Sequence, residues 1–265
     1  MKSTIERTLT TVLDELIPSE NQIKKLIRYM VFPAGKLFRP RLVYNLAMDI
    51  DGKLSRNHHY LMAALEFHHV YSLIHDDLPA MDDDDLRRGK LSLHKYASEG
   101  EAILVGDALI NLSYEALSQI RHPFAIELIS MFSKLMGPLG LIEGQYLDLY
   151  QENKNWDQLI HIHQLKTSYL IEFALLATTK VSQESPKIDL SKLAKAIGLS
   201  FQLLDDKSEL KDLSSKDEEK KNAFLINRKE AQKRLDQEMK YIKTFFKENK
   251  LPRLEEQISS WLGKD

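Results

Sequence analysis

The chain has 265 residues, a formal net charge of −2, 43% hydrophobic residues and no cysteine. The apolar content is too high for a disordered chain, and the charge offers no basic excess for nucleic acid. The lack of cysteine excludes disulfides, thiolate nucleophiles and zinc–thiolate sites, and it is compatible with a reducing compartment. No apolar run reaches the ~18 residues of a membrane span, and residues 1–16 lack an apolar signal core. We therefore expect a soluble cytoplasmic protein that neither binds nucleic acid nor inserts stably into a membrane.

Apolar residues recur at helical spacing along most of the chain, whereas glycine and proline are few. Residues 57–77 carry apolar side chains on more than one stripe, which predicts a central and largely buried helix. Ser98 and Asp189 each precede a periodic segment, as helix N-caps do. Further helices are predicted over residues 100–117, 127–151, 156–178, 189–206 and 228–249.

The domain organisation follows from these patterns and from the lack of an internal repeat or low-complexity linker. The only break in composition is residues 207–222, a charged and poorly periodic stretch. The sequence therefore predicts one all-α domain over residues 1–265, a bundle of roughly ten helices with a charged connector at 207–222.

The predicted central helix ends in an unusual concentration of charge. Six aspartates lie between Asp76 and Asp85, and Arg87 and Arg88 follow directly. Charge runs are usually solvated surface turns, and that interpretation stays open here. A calcium-binding loop is excluded because the alternating aspartates, central glycine and terminal glutamate of that motif are missing. Magnesium remains possible, since it takes one or two carboxylates together with substrate phosphates.

Whether two of these aspartates can share an ion depends on the backbone between them. On an unbroken helix Asp76 and Asp82 would point about 120° apart. Pro79 lacks a backbone donor and clashes with the preceding turn, so a bulge is expected there. If Pro79 and Ala80 loop out, the spacing becomes effectively four residues and both carboxylates face one side.

A second acidic group closes another apolar helix near the C-terminal third of the chain. Asp205, Glu209 and Asp212 follow one another at i, i+4 and i+7, on one helical face. Two carboxylate sites that each end an apolar helix are compatible with two magnesium sites facing a cavity. Two unrelated helix ends are the alternative interpretation.

Basic residues accompany both acidic groups. Lys36, Arg39 and Arg41 follow a glycine at the start of a predicted helix, and Lys166 precedes the Thr167 hydroxyl. Arginine binds phosphate through a two-pronged fork, while lysine supplies a compact charge. Each residue alone is more often a surface charge. Together with magnesium sites, they predict a pocket for diphosphate groups.

Six motifs resemble, in family order, those of the trans-isoprenyl diphosphate synthase (polyprenyl synthetase) family, and most closely the bacterial farnesyl diphosphate synthase type. SLIHDDLPAMDDDDLRRG resembles the first aspartate-rich motif, DDxxxxD followed by LRRG. The other five match GKxxRP, the histidine-bearing helix, GQxxDL, HxxKTxxLI and GxxFQxxDD. They read GKLFRP, EFHHVYSLIHDD, EGQYLDL, HQLKTSYLI and GLSFQLLDD.

The resemblance covers about Ile23 to Asp206 and implies a fold, a reaction and an assembly. The implied fold is the isoprenoid synthase bundle around a central substrate cavity, assembled as a homodimer. The implied reaction is a Mg²⁺-dependent head-to-tail (1′-4) condensation of isopentenyl diphosphate with an allylic diphosphate, dimethylallyl or geranyl. The expected product is farnesyl diphosphate, with the C20 geranylgeranyl diphosphate as the nearest rival.

The resemblance also implies roles for individual residues. Asp76 and Asp82 would bind two magnesium ions on the allylic diphosphate, and Asp205 would bind a third. The residues implied to hold the allylic diphosphate are Arg87 and Lys166, with Thr167 and Gln202 nearby. The residues implied to hold isopentenyl diphosphate without metal are Gly35, Lys36, Arg39, His69 and Arg88.

Product length is implied to depend on the wall beneath Asp76. Tyr71 and Ser72 lie about one turn before Asp76. In the family, a bulky aromatic residue at the position of Tyr71 shortens the product pocket. Tyr71, combined with the two-residue insertion at Pro79 and Ala80, therefore favours a C15 product.

The sequence departs from the family in its second acidic motif, where DDxxD is replaced by residues 205–209, reading DDKSE. The following loop is shortened to the charged connector, with Lys220 or Lys221 in place of the family's lid lysine. A weakly active or non-catalytic prenyl-diphosphate-binding subunit is therefore an alternative. A terpene cyclase is a third candidate, but it does not need the set of Lys36, Arg39 and Arg88.

Overall fold

The structure is a computed structural model that describes residues 1–151, 155–184, 188–210 and 222–263. The structure is 76% helical and has almost no strands, which confirms the all-α prediction. The first helices are α1 (Lys2–Leu16), α2 (Gln22–Val31), α3 (Phe38–Ile50), α4 (Arg56–Asp76), α5 (Leu93–Tyr96) and α6 (Glu99–Ser118). Those that follow are α7 (Ala125–Met136), α8 (Leu141–Tyr150), α9 (Trp156–His163), α10 (Tyr169–Val181), α11 (Leu190–Glu209), α12 (Ala223–Glu248) and α13 (Pro252–Leu262).

The chain divides into two compact units. The first unit comprises residues 1–44 and 53–129, and the second comprises residues 45–52 and 130–265. The organisation of residues 1–265 as a single domain stays a prediction. Most of the predicted connector, residues 211–221, lies outside the described residues, as do Asp212, Lys220 and Lys221.

Helix α4 is the central element of the first unit, as expected from apolar residues on more than one stripe. Nearly all of its side chains between Tyr60 and Ile74 are buried. Helix α6 packs closely against it, because the His75 imidazole lies directly over Gly106, where a Cβ would collide with the ring. The predicted cap is present at the start of α6, where the Ser98 hydroxyl accepts a hydrogen bond from the Glu101 N–H. The contact between His75 and Gly106 holds the C-terminal end of α4 against α6.

A short hairpin follows α4 and is the one β-structure of the described residues. Strands β1 (Leu86–Arg87) and β2 (Lys90–Leu91) are antiparallel and are joined by Arg88 and Gly89. Both turn residues have positive φ, 55° and 78° respectively, as a two-residue type I′ turn requires. Gly89 takes that conformation without strain, whereas an L-residue such as Arg88 adopts it at a cost of about 1–2 kcal/mol. The hairpin was not predicted, since two-residue strands leave no alternating pattern in the sequence.

In the second unit, residues 156–181 form one continuous helical run. It comprises α9, a π-helical turn (Gln164–Ser168) and α10. Helix α11 packs on this turn at Gly198, where a Cβ would lie 2.7 Å from the Ser168 Cα. The predicted cap of α11 is present, since the Asp189 carboxylate accepts a hydrogen bond from the Ser191 N–H.

Two predicted boundaries in the second half of the chain are wrong. Residues 127–151 form two helices, α7 and α8, because Gly137, Pro138 and Gly140 interrupt the helical run. The connector predicted from residue 207 begins later, since α11 continues to Glu209. Residues 125–150 are apolar and long enough to cross a membrane by length and composition alone. The two helices have 12 and 10 residues, each shorter than the ~20 residues of a spanning helix.

The close approach at Gly198 predicts a stability difference between two helical glycines. Gly198→Ala should lower the free energy of unfolding by about 1–3 kcal/mol, because the added methyl collides with the Cα and the side chain of Ser168. Gly100→Ala in α6 is the matched control, since no atom lies within 4 Å of the added methyl. It should raise stability by about 0.5–1 kcal/mol. Urea unfolding of both variants measures the difference, and equal effects would contradict the close approach.

Candidate active site

The acidic loop, residues 76–85, leaves the end of α4 and returns to it. Helix α4 ends at Asp76, and the Asp82 N–H donates a hydrogen bond to the Asp76 carbonyl at 2.9 Å. The Met81 N–H and the Asp83 N–H both donate to the Leu78 carbonyl, which closes the bulge between them. The chain therefore loops out around Pro79, as predicted, and the backbones of the two expected ligand residues lie side by side.

The carboxylates of the acidic loop are suited to an open magnesium site and not to a site closed by protein ligands alone. Within residues 1–151, 155–184, 188–210 and 222–263, no three histidine or carboxylate side chains form a group that could hold a metal. Magnesium keeps several waters and is usually held by one or two carboxylates plus substrate phosphates. Asp82 is exposed and Asp76 is half-buried at the rim of α4. A pair of this kind fits an ion that is completed by a phosphate-bearing ligand.

Asp77 differs from its neighbours because its side chain is completely buried. The Arg87 Nε donates to its Oδ1 at 2.7 Å, and Arg87 Nη2 bonds both this oxygen and Asp84 Oδ2. Burial raises the pKa of Asp77, and the Arg87 guanidinium opposes that shift. Asp77 therefore anchors Arg87. Residues 83–85 are exposed, and Asp85 pairs with Lys95 at 2.9 Å.

Glu66, on α4, is the buried counter-charge of a second arginine. Its side chain is 1% exposed, and its Oε1 lies 3.7 Å from Arg88 Nη2. Burial raises the pKa of Glu66, while Arg88 and Arg39 oppose the rise. The Arg88 guanidinium also lies on Gly35, where a Cβ would stand 2.8 Å from its Cζ. The lack of a side chain at Gly35 therefore leaves room for the Arg88 guanidinium in this position.

The basic cluster consists of Arg39, Arg88 and His69, which interact electrostatically within the first unit. Burial lowers the pKa of Arg39 to about 10; Glu66 opposes this shift and Arg88 adds to it. Burial, followed by Arg39 and Arg88, lowers the pKa of His69 well below its ordinary value. Lys36, from the same predicted set, is exposed. The cluster thus concentrates positive charge beside a neutral imidazole.

Tyr71 is a buried aromatic residue on α4, five positions before Asp76. Its ring makes edge contacts with His68, at 4.6 Å between centroids, and with His75, at 5.3 Å. Burial raises the pKa of Tyr71 to about 12, and the nearby Asp76 carboxylate adds to the shift. The Ser72 hydroxyl donates to the His69 carbonyl at 2.9 Å. Tyr71 is therefore a fixed, neutral aromatic surface beneath the acidic loop.

In the second unit, Lys166 and Thr167 lie in the π-helical turn. Such turns are rare and often occur at functional sites. The Lys166 Nζ donates to Asp148 Oδ2 at 2.5 Å, so a carboxylate of the EGQYLDL motif holds the ammonium group. Gly144 of the same motif allows this approach, because a Cβ there would lie 3.0 Å from the Lys166 backbone nitrogen.

The two aspartates of the second acidic motif have different environments. Asp205 and Glu209 are exposed on α11, whereas Asp206 is buried. Asp206 Oδ2 accepts a hydrogen bond from the Ala223 N–H at 2.8 Å and lies 3.1 Å from His163 Nε2. Asp206 therefore fastens the start of α12 to α11, and Asp205 is the motif's exposed aspartate.

Sequence reasoning missed three structural carboxylates of these sites. Glu66, Asp148 and Asp206 each lie inside a quoted motif, yet none was assigned a role. Glu66 carried a signal, since a carboxylate inside an apolar helix is buried at a cost unless a cation accompanies it. Asp148 and Asp206 carried none, because exposed and buried carboxylates look alike in a sequence.

The burial of His68 predicts an acid-sensitive stability. Burial, followed by Arg39, lowers the pKa of His68 from 6.5 to about 3. As the pH falls below 6.5, His68 is protonated in the unfolded chain but stays neutral in the folded protein. The stability that His68 contributes above pH 6.5 is therefore lost as the pH falls toward 3. From pH 6.5 to 4.5 this one group should remove about 2–3 kcal/mol.

Urea unfolding at several pH values tests this expectation. His68→Gln should show a smaller acid loss than the wild type, because glutamine does not titrate. His161→Gln, at an exposed histidine, is the control and should keep the wild-type slope. Identical slopes for wild type and His68→Gln would contradict the burial of a neutral imidazole.

Known proteins are similar to this chain in sequence and in fold. The sequence model of the polyprenyl synthetase family matches residues 20–225. The farnesyl diphosphate synthase of Micrococcus luteus is 35% identical over 77% of this chain and 74% of its own length. That of Escherichia coli is 40% identical over 72% of this chain and 67% of its own.

A solved structure extends the similarity to nearly the whole chain. The crystal structure of geranyltransferase from Legionella pneumophila superposes with a TM-score of 0.87 at 32% identity. The superposition covers 99% of this chain and 94% of that structure. With the motifs in order, the family match over most of the residues and the shared helical fold, the chain belongs to the polyprenyl synthetase family.

Proposed function

We propose that the chain condenses isopentenyl diphosphate head-to-tail with dimethylallyl and geranyl diphosphates, with magnesium, to give farnesyl diphosphate. The observation that carries the proposal is the end of α4. There the acidic loop brings Asp82 back to Asp76, and the arginines that follow are held by buried carboxylates of the same unit. A carboxylate pair beside oriented guanidinium groups suits a ligand that needs both metal and cations, as a diphosphate does.

The allylic diphosphate is assigned to the acidic loop. Asp76 and Asp82 would hold magnesium with it, and bound magnesium supplies electrostatic stabilisation to the leaving diphosphate. Arg87 is assigned to the same group by its motif position, and its bonds to Asp77 and Asp84 hold its positive charge beside the acidic loop. Lys166, Thr167 and Gln202 are assigned to the allylic diphosphate by their motif positions. A cationic environment of this kind favours charge that builds on the departing oxygen as the C1–O bond breaks.

Isopentenyl diphosphate is assigned to Gly35, Lys36 and the basic cluster, without metal. Arg88 and Arg39 are charged donors, and Glu66 balances part of their charge. The His69 imidazole is neutral, because its pKa is lowered by burial. The isopentenyl C4 then bonds to the allylic C1, and the proton lost from C2 passes to the leaving diphosphate. The buried apolar side chains of α4 exclude water, which protects the allylic cation from hydrolysis.

The third magnesium ion is assigned to Asp205. Support comes from its exposure at the end of α11, while Asp206 is occupied with α12 and His163. Lys207 and Ser208 replace the usual residues of the motif, which leaves the weakly active subunit as the second candidate function. Turnover by the purified chain alone decides between the two.

A cytoplasmic homodimer is the proposed assembly. Helix α8 supports it, because Ile142, Tyr146 and Tyr150 follow one another at i, i+4 and i+8 and are 48%, 63% and 64% exposed. An apolar stripe of this kind on a helix is typical of a protein–protein contact.

The metal role of Asp76 predicts loss of turnover without loss of fold. Asp76→Asn should lower kcat at least ~100-fold, the scale at which a single charge-stabilising group acts. The thermal midpoint should stay near that of the wild type, because Asp76 lies at a half-buried rim. Steady-state assays with both C5 substrates and magnesium measure the effect. Asp83→Asn, at an exposed neighbour, is the matched control, and equal activity of the two variants would refute the assignment.

The wall formed by Tyr71 predicts product length. Tyr71→Ala removes the buried ring that packs between His68 and His75, so the growing chain gains room beneath Asp76. The main product should shift from C15 to C20 or longer, as read by chromatography of the dephosphorylated alcohols. Tyr71→Phe keeps the ring and should keep C15. A C15 product from Tyr71→Ala would place the wall elsewhere, and a C20 product from the wild type would favour the geranylgeranyl alternative.

A further inference from the structure

Lys90, the first residue of strand β2, turns its ammonium group toward the backbone of another segment. Its Nζ donates to the carbonyl of Tyr29 and, at 2.8 Å, to that of Phe32, at the C-terminal end of α2. Carbonyls of a last helical turn lack intrahelical partners and favour a cation. The Nζ also lies 4.5 Å from the centroid of the Tyr29 ring. Lys90 thus closes the end of α2 with the hairpin.

Two further contacts hold the same strand to α2. The Tyr29 hydroxyl donates to the Leu91 carbonyl at 2.9 Å. The Tyr29 ring stacks on Tyr96, at 3.8 Å between centroids, just after the hairpin. Strand β2 is therefore attached to α2 in three ways: through the Leu91 carbonyl, through the Lys90 ammonium group and through Tyr96 of the following helix. These attachments fix the hairpin independently of any ligand.

The attachment joins two segments of the proposed isopentenyl diphosphate site. Phe32, which accepts from Lys90, lies three residues before Gly35, and Arg88 lies two residues before Lys90. The two segments meet again where the Arg88 guanidinium lies on Gly35. Arg88 holds a left-handed backbone conformation, φ 55°, which surrounding contacts must maintain. On one side of the turn Arg87 is bonded to Asp77, and on the other side Lys90 is bonded to the end of α2.

We propose that Lys90 is a positioning residue for isopentenyl diphosphate. It holds the Arg88–Gly89 turn against the segment that carries Gly35 and Arg39, and so sets where the Arg88 fork lies. The proposal rests on the proposed function, since it assumes that Arg88 binds this substrate. The Lys90 ammonium donates to the carbonyls of Tyr29 and Phe32, so the role assigned to it is to hold the hairpin and not to bind the diphosphate.

Steady-state kinetics of three variants test the proposal. Lys90→Met keeps a chain of similar length but loses the donors. It should raise KM for isopentenyl diphosphate about tenfold, as expected when charge-assisted hydrogen bonds are removed. Its kcat and its KM for geranyl diphosphate should change less than about twofold, because the acidic loop is untouched. Lys90→Arg keeps charge and donors and should restore KM to within about threefold of the wild type.

Lys95→Met is the matched control, since Lys95 is exposed nearby and pairs with Asp85. It should leave both KM values at the wild-type level. An unchanged KM for isopentenyl diphosphate in Lys90→Met would overturn the proposal. So would a parallel loss of kcat and of both affinities together with a lower thermal midpoint, because that pattern marks a purely structural role.

Calorimetric titration separates this inference from the proposed function. If the wild-type chain forms no product, the proposed function fails, and metal-free titration with isopentenyl diphosphate decides the role of Lys90. Weaker binding by Lys90→Met than by Lys95→Met would support positioning. Equal affinities, or no binding to the wild type, would overturn it.

Discussion

Helix α4 is organised around buried carboxylates that hold arginines. Glu66 faces Arg88 from inside the helix, and Asp77, at its C-terminal end, holds Arg87. Removing a carboxylate from water is costly unless a cation stands beside it, and the cost is felt as the raised pKa of both acids. Moving either arginine away from α4 would leave a buried carboxylate without its counter-charge, so both arginines are held near the helix. Both guanidinium groups are thus held in place by the protein itself, and under the proposed function this would lower the entropy lost when a diphosphate binds.

The same constraint explains the small residues and turns around the site. Gly35 leaves room for the Arg88 guanidinium. Gly89 permits the type I′ turn that follows β1, so that Arg87 lies on the strand and Arg88 in the turn. In the acidic loop a proline has the corresponding role, since Pro79 prevents the helix from continuing and the Asp82 backbone returns to Asp76. In the second unit, Gly144 and Gly198 are the close-approach positions around the π-helical turn that carries Lys166. In both units, glycines and a proline thus allow the backbone segments that carry the candidate site residues to lie close together.

Much of this was predictable from the sequence, and the failures have physical causes. Helix α4, its burial and the bulge at Pro79 followed from apolar periodicity and proline chemistry, which act locally. The caps at Ser98 and Asp189 were predictable for the same reason. The hairpin, the π-helical turn and the environments of Asp77 and Asp206 depend on tertiary contacts, so no local pattern encodes them. For Glu66 the apolar helix around it indicated burial beside a cation, but not that the cation is Arg88. The helix at 127–151 was predicted too long because apolar periodicity continues in phase across the glycines that interrupt it.

The central claim is that this single chain supplies a complete site for joining two prenyl diphosphates. The most direct measurement is incubation of the purified chain with isopentenyl diphosphate, dimethylallyl diphosphate and magnesium, followed by mass spectrometry of the products over time. The account predicts geranyl diphosphate early and farnesyl diphosphate as the end product, with none formed when magnesium is chelated. Absence of any condensed product from the purified chain would contradict it.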